Sequence, residues 1–272
     1  MTNEPFFTRD GARFIPTLSS RGPWDPKSLH GRVIAGLTGW AIERDYGAED
    51  FMPARLTVDM YKLPKLDPVE VTTRLVREGG RIKVVDAEFF SAGESMGRAT
   101  CQLLRRTENA EGQVWSPPNW DVPAPDDVVI PEGRNMGMGG MWAMRPITGA
   151  MGTPGQKRTW MKEVRELVDG SPLTPFVRVA LAADFTSPFA NAGDQGLGYI
   201  NSDVTVYLSR LPRTEWVGFE TVNHQAADGV AVGECFLYDE AGPIGSGSCC
   251  GLAQRRRMAN PPVDAAQKAE AT

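Results

Sequence analysis

The side chains best suited to chemistry in this chain are few, and they sit where predicted elements begin. Asp203 opens a strand-like run whose alternation sets Asp203, Thr205 and Tyr207 on one face and Val204, Val206 and Leu208 on the other. A carboxylate with a hydroxyl two residues on can take or orient the proton of a water; the same trio also reads as the polar face of an edge strand. His224, in a run read as lying opposite Asp203, either orients that water or stands half exposed on its strand. His30, Gly31 and Arg32 open a predicted helix, whose first N–H groups lack intrahelical partners and carry partial positive charge. Gly31 lets a carbonyl approach that backbone, so the amides of Gly31 and Arg32 are the candidate donors to a carbonyl oxygen. The competing reading has Gly31 relieving crowding and His30 serving as a polar helix-start residue. Cys249 and Cys250 read as small core residues, since no basic neighbour favours a thiolate. Asp184 interrupts an apolar helical run; it either caps the end before Ser187-Pro188 or faces a pocket.

Several chemistries are excluded. The run Gly245-Ser246-Gly247-Ser248 lacks the spacing of a nucleophile elbow, and no dinucleotide glycine fingerprint follows a strand. Two histidines rule out a three-histidine metal site, and the four cysteines have no CxxC spacing, so neither metal nor cofactor is expected. A net charge of −5 argues against a nucleic-acid partner. No apolar run approaches the roughly 18 residues of a membrane span. Residues 1–10 carry two acids and no signal-like apolar stretch. A cytoplasmic protein with reduced thiols and no membrane partner is the expectation.

The elements that would position these groups follow from periodicity. Residues 29–46 predict a helix, with Val33, Leu37, Trp40 and Ala41 on one face. Strand-like runs follow at 54–62, 69–78, 81–90 and 95–105, separated by Leu63-Pro64, Gly79-Gly80 and Ala92-Gly93. Residues 107–131 are rich in Pro and read as a linker. The Gly/Met-rich stretch 135–141 is uninformative. Beyond it come a strand at 159–168, a helix at 173–185, and strands at 198–209, 215–225, 230–238 and 243–253. The expected division is an N-terminal unit 1–106, the linker, a C-terminal unit 132–257 and a loose tail 258–272.

Self-similarity ties the halves together. Thr57-Val58 recurs as Thr205-Val206, Leu63-Pro64 as Leu211-Pro212 and Gly97 as Gly245, all at an offset of 148 residues. Helix followed by four strands also repeats. Two copies of one α+β unit, pairing their open sheet edges, satisfy backbone groups that neither copy satisfies alone.

On these residues the chain resembles the acyl-CoA thioesterases of the bacterial type II kind. The similarity rests on His30-Gly31-Arg32-Val33-Ile34-Ala35-Gly36-Leu37, on Pro53-Ala54-Arg55-Leu56-Thr57-Val58-Asp59 and on Arg77-Glu78-Gly79-Gly80-Arg81. The most specific block is Asn201-Ser202-Asp203-Val204-Thr205-Val206-Tyr207-Leu208, followed by Arg210 and Glu215-Trp216. The resemblance implies a tandem double hotdog: two antiparallel sheets, each wrapped around one long helix, joined edge to edge. It also implies hydrolysis of an acyl-CoA or other acyl thioester by a water held by Asp, Thr or Ser, and Gln. Asp203 matches the family's Asp. The Thr position falls near Asn223 or His224, and the Gln position at Cys249 or Cys250. Of the family's three positions the chain thus keeps the Asp alone; with the residues read above, the candidate catalytic set is Asp203, Thr205 and His224, and the candidate substrate-binding set is Gly31, Arg32 and His30. The alternative is a binder of acyl thioesters or lipid-like ligands that no longer hydrolyses them. Pairing of chains into a homodimer is a further expectation.

Overall fold

A computed structural model describes residues 4–130 and 142–258. In the first copy, β1 (Phe7–Asp10) and β2 (Arg13–Pro16) precede α1 (Gly31–Tyr46), and β3 (Phe51–Met60), β4 (Val69–Glu78), β5 (Ile82–Ser91) and β6 (Glu94–Arg105) follow it. The second copy opens with β7 (Trp142–Thr148) and β8 (Arg158–Glu163), then α2 (Pro175–Ala183) and α3 (Thr186–Asn191). It closes with β9 (Ala192–Gly193), β10 (Gly196–Asn201), β11 (Asp203–Leu208), β12 (Val217–Ala227), β13 (Val230–Asp239) and β14 (Gly242–Met258). Residues 135–141 and 259–272 lie outside the described residues.

The strands form one antiparallel sheet in the order β1-β2-β4-β5-β6-β3-β11-β14-β13-β12-β8-β7. Its two halves mirror each other: β3, β6, β5 and β4 on one side of the seam answer to β11, β14, β13 and β12 on the other. At the seam Val58 pairs with Val204, Thr57 with Thr205 and Leu56 with Val206. Thr57 and Thr205 are the two residues that the 148-residue offset equates, so a pseudo-two-fold axis passes between them. Their hydroxyls share a hydrogen bond of 3.1 Å. The edge-to-edge junction expected from the repeat is therefore present.

Both copies also carry a one-residue bulge in the same place. The pairing of β3 with β6 shifts between Pro53 and Arg55. Against β14, Asn201 faces Gly251 while Thr205 faces Ser248, so the register shifts by one across Ser202.

Leu56, Val58, Val204 and Val206 belong to one core with Val33 and Leu37 of α1 and Leu181 of α2, which sets the helices on a single face of the sheet. α1 is buried around most of its girth because it is clasped between the sheet and α2. The two helices run antiparallel: a Cβ on Gly36 would lie 2.6 Å from Leu181 Cδ2, and one on Gly39 would lie 2.9 Å from Ala180 Cβ. These glycines let the backbones approach.

The expectation of one long helix per copy holds for α1 only. In the second copy the predicted helix 173–185 stops at Ala183 and resumes as α3. Pro188 has no N–H to return to the Asp184 carbonyl, which takes a 3.3 Å bond from Ser187 N instead. The chain bends there, at Asp184.

Residues 107–124 form no helix or strand. Trp120 nevertheless anchors this segment: it stacks on Tyr238 at 4.2 Å and donates to Glu220 Oε2 at 3.0 Å. No helix among the described residues is long and apolar enough to cross a membrane.

The helix contact yields a first prediction. Gly39→Val should lower unfolding free energy by about 1–3 kcal/mol through overpacking against Ala180, measured by urea denaturation. An unchanged midpoint would mean that the helices have room to part.

Candidate active site

Asp184 caps the C-terminal end of α2 and is 5% exposed, a carboxylate buried in the middle of the molecule. Burying such a group is costly unless its oxygens are held. Both are. Asn201 Nδ2 donates to Oδ1 at 3.0 Å, and His30 Nδ1 lies 3.2 Å from Oδ2. His30 is the N-cap of α1, so the second copy's carboxylate abuts the first copy's helix start. Gly31 makes the approach feasible, because a Cβ there would sit 2.7 Å from Asp184 Oδ1.

The charge states follow from these contacts. Burial pushes the Asp184 carboxyl up, but hydrogen bonds from His30 and Asn201 and the charge on Arg32 overcome it and hold the group below the usual carboxylate range. Burial drives His30 the other way, toward the neutral form, with Asp184 offsetting only part. His30 Nδ1 also lies 3.2 Å from the Arg32 backbone nitrogen, and one ring nitrogen cannot donate to Asp184 while accepting from that amide. The ionised carboxylate decides the matter: Nδ1 carries the proton and donates to it. Nε2 is then a bare acceptor, buried and without a hydrogen-bond partner among the described residues. Thr186 Oγ1, at the start of α3, is buried in the same condition.

Beneath this corner lies the Arg32 side chain, fully buried. Its Nη1 pairs with Glu163 Oε2 at 2.7 Å. Its guanidinium lies 4.5 Å from the Phe6 ring centroid and 4.4 Å from that of Trp142. A cation so enclosed acts on Asp184 through space; it does not reach a substrate. A cavity of about 310 Å³ opens over His30, Gly31 and Asp184, walled by Ile34, Met60, Tyr61, Ile200 and Leu252. Apolar walls with a few convergent polar groups are the usual form of a small-molecule site.

Of the residues singled out in the sequence, His30 and Gly31 line this cavity and Arg32 supports it. Asp203 stands elsewhere. It projects from the sheet face opposite the helices, where Oδ1 accepts from Cys250 N at 2.8 Å and Asp59 is its cross-strand neighbour. Burial and the charge of Asp59 push its carboxyl up. Thr205 is spent on Thr57 at the seam. His224 does not lie opposite Asp203: β14 and β13 intervene between β11 and β12, a separation of roughly 14 Å at about 4.8 Å per strand. Its Nδ1 contacts Asn191 Oδ1 at 2.8 Å. Cys249 faces the helix layer and its thiol is pushed up to about 12 by burial. Cys250 is exposed on the other face beside Asp203. Asn201 had no assigned role in the sequence reading, and Asp184 had two; the signal for the latter was a lone carboxylate in an apolar helical run.

Comparison with known proteins agrees with the architecture. Residues 20–110 match the family model of the acyl-CoA thioesterase N-terminal domain, and residues 117–248 match that of the C-terminal domain. Among solved structures, the tesB protein of Mycobacterium avium subspecies paratuberculosis is 15% identical, with 90% of this chain and 95% of that one covered at a TM-score of 0.66. A hot dog fold protein from Alicyclobacillus acidocaldarius is 16% identical, with 93% and 96% covered at 0.68. Acyl-CoA thioesterase II TesB2 from Mycobacterium marinum is 14% identical, with 90% and 94% covered at 0.60. No curated protein matches the chain.

The buried histidine makes stability depend on pH. An unfolded histidine takes up a proton below about pH 6.5, whereas His30 stays neutral to lower pH. The unfolded state then binds more protons, so stability falls as pH drops through that window. Asp184, with its depressed value, keeps its contribution until the pH falls further still. Urea midpoints of the native chain should therefore decline between about pH 7 and 5, and His30→Asn should flatten that decline. Parallel profiles would show that His30 takes up its proton over the same pH range folded and unfolded.

Proposed function

This chain belongs to the acyl-CoA thioesterase family, and we propose that it hydrolyses an acyl-CoA to a free carboxylic acid and CoA with Asp184 as the base. The observation that carries this reading is a buried carboxyl group from the second copy, held by His30 and Asn201 against the helix start of the first, on the lining of an apolar cavity.

The thioester carbonyl lies at the N-terminus of α1, with its oxygen toward the Gly31 amide and the helix dipole. Asp184 accepts a proton from a water as the water oxygen adds to the carbonyl carbon. The tetrahedral intermediate carries its negative charge at the helix start. Its collapse breaks the C–S bond, and the departing thiolate takes back the proton from Asp184. Atoms and charge balance, and the carboxylate is restored. His30 and Asn201 fix the two carboxylate oxygens, so the base is oriented before the substrate arrives. The same two hydrogen bonds favour the ionised carboxylate, and the buried Arg32 cation adds a smaller contribution. Ile34, Met60, Ile200 and Leu252 offer the acyl group apolar walls. Asp203, on the far face of the sheet, takes no part.

The test is release of free CoA thiol over a panel of acyl-CoAs, with enzyme-only blanks for the exposed Cys250 thiol. Asp184→Asn should lower kcat by about 10²- to 10⁴-fold, the range for loss of a general base. Asp203→Ala should turn over as the native chain does. Undiminished hydrolysis by Asp184→Asn would refute the assignment, and loss of turnover in Asp203→Ala would return the base to the seam strand.

A further inference from the structure

A second cavity, of about 650 Å³, opens at the other end of the helix pair between Glu43, Phe51, Pro53, Leu103, Phe176 and Leu211. The internal repeat relates it to the first. At the 148-residue offset that equates Thr57 with Thr205, Leu63 of the first cavity becomes Leu211 of the second, and Asn201 becomes Pro53. Leu252 falls on Leu104, beside Leu103. The N-cap of α1, His30, answers to the N-cap of α2, Thr174. The two cavities are thus the same place in the two copies.

What differs is the polar set. Proline replaces the amide that held a carboxylate oxygen, and a threonine replaces the histidine. Counted from the two N-caps, which lie 174 − 30 = 144 residues apart, the helix position of Asp184 is taken by Trp40, whose Nε1 donates to Ser171 Oγ at 3.1 Å. Two carboxylates line the cavity: Glu49, at an exposed loop position, and Glu43, on the next turn of α1, which accepts from the Thr174 hydroxyl. Burial pushes that carboxyl up, only partly offset by Thr174. The groups that ionise and aim a base are gone. A cavity is kept, at about twice the volume, with Phe51, Pro53, Leu103, Phe176 and Leu211 as apolar walls and Arg106 as a cation on the lining.

We propose that this second cavity binds the same class of molecule, an acyl thioester, without hydrolysing it. The chain then holds two such ligands, one turned over beside Asp184 and one retained beside Glu43. The identity of the ligand rests on the proposed function; the existence of a second site rests on the repeat.

Equilibrium dialysis with the non-hydrolysable thioether S-dodecyl-CoA tests it on the full chain. The native chain should saturate at two ligands. Ala48→Trp places a bulky ring in the second cavity from an exposed loop position; it should saturate at one and keep native turnover. Arg106→Glu, also exposed, should weaken only the second event, by about tenfold. Gly31→Val, which obstructs the first cavity, should leave one ligand bound and no turnover. Saturation of the native chain at one, or at two in Ala48→Trp, would overturn the proposal. Turnover surviving Asp184→Asn would sink the catalytic assignment alone, leaving the two-ligand count as it was.

Discussion

The pairing of β3 with β11 is the constraint on which the rest depends. Each copy alone ends in a strand edge with a row of unpaired backbone groups, and each would leave one flank of its helix uncovered. Joining the edges removes both problems, but only in one register. A slip of one residue would turn Leu56, Val58, Val204 and Val206 from the core to solvent. The register centred on Thr57 and Thr205 therefore fixes how α1 and α2 pass each other. That passage decides which helix ends meet, and so where a group from one copy can face a helix start of the other.

Asp184 exists as a buried anion because of that meeting. Its helix breaks where Pro188 denies a backbone hydrogen bond, and the break releases the side chain toward Gly31. Both copies then stabilise it: the N-cap histidine and the helix dipole from the first, Asn201 from the second, and Arg32 from beneath. Removing any one would leave the others facing an under-satisfied charge in a low-dielectric site, where such deficits weigh most. The arrangement is preorganised by packing rather than by mobile loops.

Much of this was legible in the sequence. The repeat offset pairs Thr57 with Thr205, which the structure sets side by side at the seam, and the periodicity of residues 29–46 marks α1, with His30 and Gly31 at its start. The carboxylate was harder, for a definite reason. Strict alternation places Asn201, Asp203 and Thr205 on one face, but the bulge at Ser202 adds a residue and breaks that count. Asn201 turns to the helices while Asp203 turns away. The apolar partners Val204, Val206 and Leu208 did mark the core face, and hence marked Asp203 as outward. The break in the second helix hid in the same way: Asp184 and Pro188 sit in a run whose apolar spacing continues on either side of them.

The bulge also explains why duplication serves this site better than a symmetric pair would. Both copies carry it at the same place, Pro53 to Arg55 in the first and Asn201 to Asp203 in the second. In a homodimer, one sequence would have to serve both positions. Fusion lets them diverge. Asn201 supplies a donor to the carboxylate, whereas Pro53, with no N–H to give, fits a strand position where the ladder is already interrupted. The helices diverge to match: a broken pair with a carboxylate at the break, and an uninterrupted helix with Trp40 at the point equivalent by the N-caps. One fold thus keeps a cavity at each of two equivalent corners while placing the buried carboxylate with its histidine and amide partners at one of them.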